Sequence, residues 1–300
     1  MIFLTGVSGY VGRRVARRLA ASGQRVRGLV PEGEQLPADL PGVELVRGDI
    51  LEPATLEPYG AGVTAVVHAA AAMLPNRAET IRSVNVDGTR NVLAAARLWG
   101  AARFVYISAV SAVYPLRNCY GQSKVEAEAL VAASGLPWVV LRPTMVYGEG
   151  GGLHFARLVA LVKSAPGVFP VFGPGTARVQ PVHVEDVASA VEIALCRPAA
   201  AGGRWGVSGA TAVGFDELVA RIAAALGVRR RLLHVPLPLA TAAARIAVRV
   251  SPSFFLTPEA LLGLNQDANL DYTPFAEACG YRPRTLDAGF ASEFPLGGRA

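Results

Sequence analysis

Three hundred residues and 31.3 kDa exceed one average domain and fall short of two large ones, which suits one α/β domain with a smaller lobe. Hydrophobic residues at 52 % against 17 % charged supply a large core and exclude disorder, and 32 glycines and 21 prolines without a period exclude low-complexity character. The formal net charge of +6 comes without aromatic residues interleaved among the arginines, which argues against a nucleic-acid partner.

In chain order, residues 2–5 read as a strand, followed by a Gly-rich turn and a helix over about 12–21. Strands follow at 25–30, 43–46 and 65–68, then a long helix over about 79–99. A strand at 104–108, a helix at about 120–133 and a strand at 138–141 complete the first half. Apolar strands separated by helices of 10–20 residues predict a parallel sheet covered on both faces. Past Gly148 the rhythm changes: residues 150–152 and 166–175 read as Gly/Pro-rich loops, 184–195 as a helix, and 204–300 as short elements with many prolines. The reading is a Rossmann-type doubly wound parallel sheet (1–166) with a smaller C-terminal substrate lobe (167–300), their segments interleaved.

No apolar run reaches the ~18 residues of a membrane helix. Three dispersed cysteines (Cys119, Cys196, Cys279) form no CxxC pair and fit reduced thiols, and the opening MIFLTG carries no secretory pattern. A cytoplasmic protein is expected. His154, His183 and His234 have no second ligand at metal spacing, so no metal is expected, and His183 reads as an oriented group at a helix start.

Two local patterns carry chemistry. Thr5-Gly6-Val7-Ser8-Gly9-Tyr10-Val11-Gly12 lies between a strand and a helix, where a tight backbone approaches a pyrophosphate held at the helix N-terminus. The acidic ribose ligand expected ~20 residues after the last glycine falls on Glu32. Asp49 and Ile50, after the third strand, either read an adenine amino group or let the aspartate cap the next turn. The second pattern is Tyr120-Gly121-Gln122-Ser123-Lys124, which puts a phenol and an ammonium on one helix face. Lys124 is one of only two lysines against 27 arginines, and a compact cation beside the phenol is expected to lower its pKa for proton exchange.

Over nearly the whole chain these residues resemble the extended short-chain dehydrogenases/reductases, the NAD-dependent epimerase/dehydratase family. TGVSGYVG is similar to its nucleotide loop, His68-Ala69-Ala70-Ala71 to its fourth-strand signature, and NVDGTRN from Asn85 to its polar helix. FVYISAVSAVY resembles the strand bearing the active-site serine, and Tyr120 with Lys124 the catalytic pair. Pro143, Thr144, Met145 and Val146 resemble the segment packing on the nicotinamide; PVHVEDVA from Pro181 and GYRP from Gly280 resemble second-lobe marks. The paired serine reads Ser108-Ala109 with Ser111 beyond, so either Ser108 or Ser111 fills the catalytic position. They precede Tyr120 by only 12 and 9 residues, which resembles the atypical branch that includes a nucleotide-binding accessory subunit of respiratory complex I.

The resemblance implies an NAD(P)-dependent oxidoreductase moving hydride between nicotinamide and a carbonyl or secondary alcohol, with epimerase or dehydratase chemistry as variants. The rival is a dinucleotide-binding sensor or assembly subunit without turnover. Glu32 tilts the cofactor slightly to NAD, against Arg13 as a phosphate ligand. Met145, where sugar-nucleotide members carry Asn, and Val179-Gln180-Pro181, where they carry an Arg-acid-aromatic run, predict a small-molecule substrate other than a nucleotide sugar. A homodimer is compatible with this reading.

Overall fold

The computed structural model describes residues 1–73, 76–250 and 257–294. Thirteen strands occur among them: β1 (Ile2–Thr5), β2 (Val26–Val30), β3 (Val43–Arg47), β4 (Ala65–His68), β5 (Arg103–Ile107), β6 (Trp138–Pro143), β7 (Val146–Tyr147), β8 (Val168–Phe172), β9 (Arg178–Val179), β10 (Val182–His183), β11 (Arg204–Val207), β12 (Val213–Gly214) and β13 (Arg231–Val235). The α-helices are α1 (Tyr10–Ala21), α2 (Ala78–Arg82), α3 (Gly88–Leu98), α4 (Cys119–Ala132), α5 (Leu153–Ser164), α6 (Val184–Cys196), α7 (Phe215–Ala225), α8 (Leu237–Val250), α9 (Pro258–Leu264), α10 (Thr273–Cys279) and α11 (Leu286–Glu293).

Seven parallel strands form the central sheet in the order β11-β6-β5-β4-β1-β2-β3. Side chains alternate across it, so one strand feeds two cores. Leu4, Val67, Val105 and Leu141 pack with Val15 and Leu19 of α1 and Val187 and Val191 of α6. Phe3, Val66, Phe104 and Val140 face the other way, against Val92 and Ala96 of α3 and Ala127 and Val131 of α4. Burial on both faces explains why these strands are apolar throughout. The order reverses between β1 and β4, and such a switch point leaves a crevice at the carboxyl edge.

Two expectations change. The helix predicted over 79–99 is broken by a π turn at Ser83–Asp87, which lies between α2 and α3 and buries Asn85. Residues 166–175, read as loop, contain β8, which pairs in parallel with β13. Phe169 and Val171 face a separate core with Phe155, Leu218 and Ile222, and Pro170 is tolerated on the outer side of this two-stranded sheet.

Candidate active site

The turn after β1 fits a dinucleotide phosphate by its lack of side chains. Gly6 takes φ +74°, and a Cβ there would lie 2.6 Å from the Ala70 amide nitrogen. Gly9 is exposed at the N-cap of α1, leaving the first-turn amides of the helix facing outward as an anion site. Gly12 has a different reason: a Cβ there would stand 2.0 Å from the Gly6 carbonyl oxygen, so this glycine lets the helix close on the turn itself. Ser8 and Val11 are half-buried, Ser8 offering its carbonyl to Arg13 at 3.3 Å. A Cβ on Gly150 would stand 3.7 Å from the Tyr10 ring, and the Tyr10 hydroxyl is buried without a partner among the described residues. Burial, with Glu293 nearby, pushes that phenol well up.

Beneath the turn runs a chain of polar groups with a fixed direction. Thr89 Oγ1 donates to the Asn85 carbonyl at 2.6 Å, so it must accept from His68 Nε2 at 3.0 Å. His68 Nδ1 is then the acceptor for Thr5 Oγ1 at 2.6 Å, and Thr5 Oγ1 in turn accepts from the Ala70 amide at 3.2 Å. Burial, reinforced by Lys124, pulls the imidazole down to about 3, so it is neutral at all ordinary pH. The His68 side chain is therefore fully buried and satisfied by Thr5 and Thr89, bracing the carboxyl edge of the sheet from within, a correction to its reading as a cofactor contact. Ala69, Ala70 and Ala71, which follow it, carry the partly exposed surface beside Gly6. Asn85 braces the same edge from the π turn: Oδ1 accepts from the Ala72 amide at 2.8 Å and Nδ2 donates to Ser123 Oγ at 2.9 Å. Ser123 Oγ donates to the Tyr120 carbonyl at 2.7 Å, so Asn85 positions α4.

Tyr120 opens α4, and Asn118 caps it by accepting the Gly121 amide at 2.9 Å. Lys124, only 2 % exposed, donates to the Ile107 carbonyl at 3.0 Å and to Tyr106 Oη at 3.2 Å, with its ammonium 4.8 Å from the Tyr106 ring and 5.8 Å from that of Tyr120. Burial pulls Lys124 down to about 7 even though Glu128 works against the shift. Burial pushes Tyr120 up to about 12, contrary to the expectation of a phenol lowered by its lysine; the ammonium is directed at Tyr106. Tyr106 was missed in the sequence because a Tyr in an apolar strand reads as core.

The two candidate serines part company. Ser108 Oγ donates to Glu128 Oε1 at 2.6 Å, and Glu128 lies two turns beyond Tyr120, about 12 Å along the helix. Glu128 is buried and also takes Arg142 through two bonds of 2.9 and 2.6 Å, with Arg204 at 3.4 Å. Ser108 thus completes an ionic cluster centred on the buried Glu128 carboxylate. Ser111 sits in a one-turn 3-10 helix at Val110–Val113, its carbonyl 2.7 Å from where a Cβ on Gly121 would stand, and its hydroxyl is buried with no partner among the described residues. Ser111 is the serine brought to the Tyr120 end of α4.

Other predicted contacts are placed less directly. Glu32 is exposed just beyond β2, on a turn that Arg47 of β3 holds through the Pro31 carbonyl at 2.8 Å. Asp49 Oδ1 accepts the Leu51 amide at 2.8 Å, which is the turn-capping alternative, and Ile50 is buried against Gly88. Pro143 and Thr144 are buried, Thr144 Oγ1 donating to the Gln180 carbonyl, while Met145 and Val146 remain partly exposed. His183 caps α6, accepting the Glu185 amide at 3.2 Å, and meets Glu293 at 2.9 Å.

Two clefts meet at Glu149 and Gly150. One, of about 400 Å³, is lined by Ser8, Tyr10, Arg13, Arg14, Arg17 and Asp39. The other, of about 340 Å³, is largely apolar, with Phe155, Ala156, Val159, Ala160 and Phe294 in its walls and Lys163 and Glu293 at its polar positions.

Residues 2–207 match the NAD dependent epimerase/dehydratase family. A ceramide reductase of Caulobacter vibrioides is 32 % identical over 92 % of this chain and 88 % of its own length. A 2-alkyl-3-oxoalkanoate reductase of Stenotrophomonas maltophilia is 29 % identical over 76 % of each chain. A dTDP-glucose 4,6-dehydratase from Streptomyces venezuelae, solved with NAD bound, shares the fold with a TM-score of 0.76 at 21 % identity, covering 98 % of this chain and 95 % of that one. The chain belongs to the NAD dependent epimerase/dehydratase family. It is an NAD(P)-dependent oxidoreductase of the extended short-chain dehydrogenase/reductase type acting on a small molecule, and among the described residues no helix is long and apolar enough to cross a membrane.

Proposed function

We propose that the enzyme interconverts a carbonyl and a secondary alcohol on a small molecule bearing an apolar chain, with Tyr120 as the proton carrier and Ser111 orienting the substrate oxygen. The observation that carries this reading is the buried, unpartnered Ser111 hydroxyl at the Tyr120 end of α4, with the Lys124 ammonium 5.8 Å from the Tyr120 ring; an apolar cleft, whose walls include none of these three residues, meets the arginine-lined cleft at Glu149 and Gly150. An apolar wall rewards burial of hydrocarbon and leaves sugar hydroxyls without partners. Two relatives are named for a ceramide and for an alkyl-substituted oxoalkanoate, which supports the same substrate class.

Gly6, Ser8, Gly9 and the first amides of α1 would hold the dinucleotide pyrophosphate, and the half-buried Met145 and Val146 would lie against the nicotinamide. When bound, the nicotinamide supplies or accepts the hydride. Tyr120, protonated up to about pH 12, gives its proton to the carbonyl oxygen in reduction, and the phenolate left behind is the species that takes a proton from the alcohol in the reverse direction. Lys124 supplies a positive charge beside Tyr106 and Tyr120 while it is protonated, and Asn85, through Ser123, positions the start of the helix that carries Tyr120. Exposed Glu32 and the neutralisation of Arg13 by Asp39 at 3.7 Å favour NAD over NADP.

The test is Tyr120→Phe assayed with long-chain ketones and with UDP- and dTDP-sugars. Turnover of the ketones should fall by about two to four orders of magnitude at unchanged cofactor affinity. Retained turnover, or a wild type that prefers nucleotide sugars, overturns the proposal.

A further inference from the structure

The charge of this chain is concentrated in one stretch. Residues 218–258 contain Arg221, Arg229, Arg230, Arg231, Arg245 and Arg249 and no aspartate or glutamate, while the other 23 basic residues equal the 23 acidic ones. The whole net charge of +6 therefore sits there. Arg221 and Arg230 are occupied, the first with Glu217 and Asp287 and the second on the Val162 and Lys163 carbonyls. Arg245 and Arg249 are exposed on α8 and have no ion-pair partner among the described residues.

Helix α8 is apolar on the side that faces water. Its inner face packs Ala240 and Ala244 against Leu261, Phe172 and Val235. At about 100° per residue, Leu239, Ala243, Ile246 and Val250 fall on one outward stripe. Leu239 is 65 % exposed, Ile246 63 % and Val250 82 %. Arg245 and Arg249 border that stripe on one side, where long arginine stems can lie along it and lift their charges to a polar surface. Helices with an apolar face edged by arginine lie in the headgroup layer of anionic bilayers, and 14 residues, about 21 Å, are too few to cross one. A second copy of the chain fits worse, because pairing two stripes brings unpaired arginines together and three large side chains fall far short of a stable interface.

We infer that the outer face of α8 docks the enzyme on an anionic membrane surface, through Leu239, Ile246 and Val250 inserted at headgroup depth and Arg245 and Arg249 on lipid phosphates. This placement is independent of the substrate reading.

The experiment is co-sedimentation of the full chain with phosphatidylcholine vesicles containing 30 % phosphatidylglycerol, in parallel with pure phosphatidylcholine. Partitioning should be at least about tenfold stronger with the anionic lipid and weaken with salt. Ile246→Glu should lower it at least about tenfold, and Arg245→Gln with Arg249→Gln severalfold, without change in melting temperature or cofactor affinity, since these side chains touch neither core nor nucleotide turn. Equal weak sedimentation with both lipids, or an Ile246→Glu variant that binds like wild type, overturns the inference. So does a wild-type dimer that binds no vesicles and becomes monomeric on Ile246→Glu, which would give the stripe to a second copy.

Discussion

Burying the Lys124 ammonium makes the enzyme least stable where its lysine is charged. The side chain is 2 % exposed and titrates at about 7, against 10.5 in the unfolded chain. Below about pH 7 both states are protonated and the full cost of burial is present. Between about 7 and 10.5 the unfolded chain keeps a proton that the folded one has released, so stability rises with pH in that window, by about 1.4 kcal/mol per unit. Lys124→Met removes this dependence. It also leaves the Ile107 carbonyl and Tyr106 hydroxyl without a donor, a roughly constant loss of about 1–3 kcal/mol. The readout is therefore the difference in unfolding free energy between variant and wild type, from urea titrations at half-unit steps from pH 6.5 to 9.5. That difference should move in favour of wild type by about 3 kcal/mol between pH 7 and 9.5, while other titrating groups cancel. Parallel stability curves for the two proteins would refute the burial argument.

The same titration should shape catalysis: kcat/KM for carbonyl reduction should fall above about pH 7 as Lys124 loses its charge, with Tyr120 protonated throughout, and a profile flat to pH 10 would remove Lys124 from the rate. Ser111→Ala should cost about a hundredfold or more in kcat, whereas Ser108→Ala should stay within about tenfold and lower stability by about 1–3 kcal/mol, because Glu128 loses a buried donor; the reverse order of rate losses would return catalysis to Ser108. Asp39→Asn releases Arg13 and Arg17 at the rim of the nucleotide cleft and should raise NADP(H) affinity severalfold relative to NAD(H), measured by fluorescence titration; an unchanged ratio would take these arginines out of cofactor choice.

Local patterns made the glycine turn after β1 and the shared helix of Tyr120 and Lys124 legible, because both depend on groups within one helical turn or one strand–helix junction. The alternation of apolar strands and helices was equally legible, since a parallel sheet buried on both faces writes itself as uninterrupted Val, Ile and Leu. The family match over residues 2–207 agrees with what those motifs imply. What the chain order hides is which polar groups meet across the core. Ser108 and Ser111 are three residues apart, yet one is claimed by Glu128 from the facing helix and the other lies against Gly121. His68 belongs to Thr5 and Thr89, and Lys124 is directed at Tyr106, partners 63, 21 and 18 residues distant. The outward stripe of α8 could be recognised only once Ala240 and Ala244 were seen to face inward. Spacing along the chain specifies neighbours on the same element, whereas burial, hydrogen-bond partners and the pKa values that follow depend on the element packed opposite, and only the tertiary structure supplies that element.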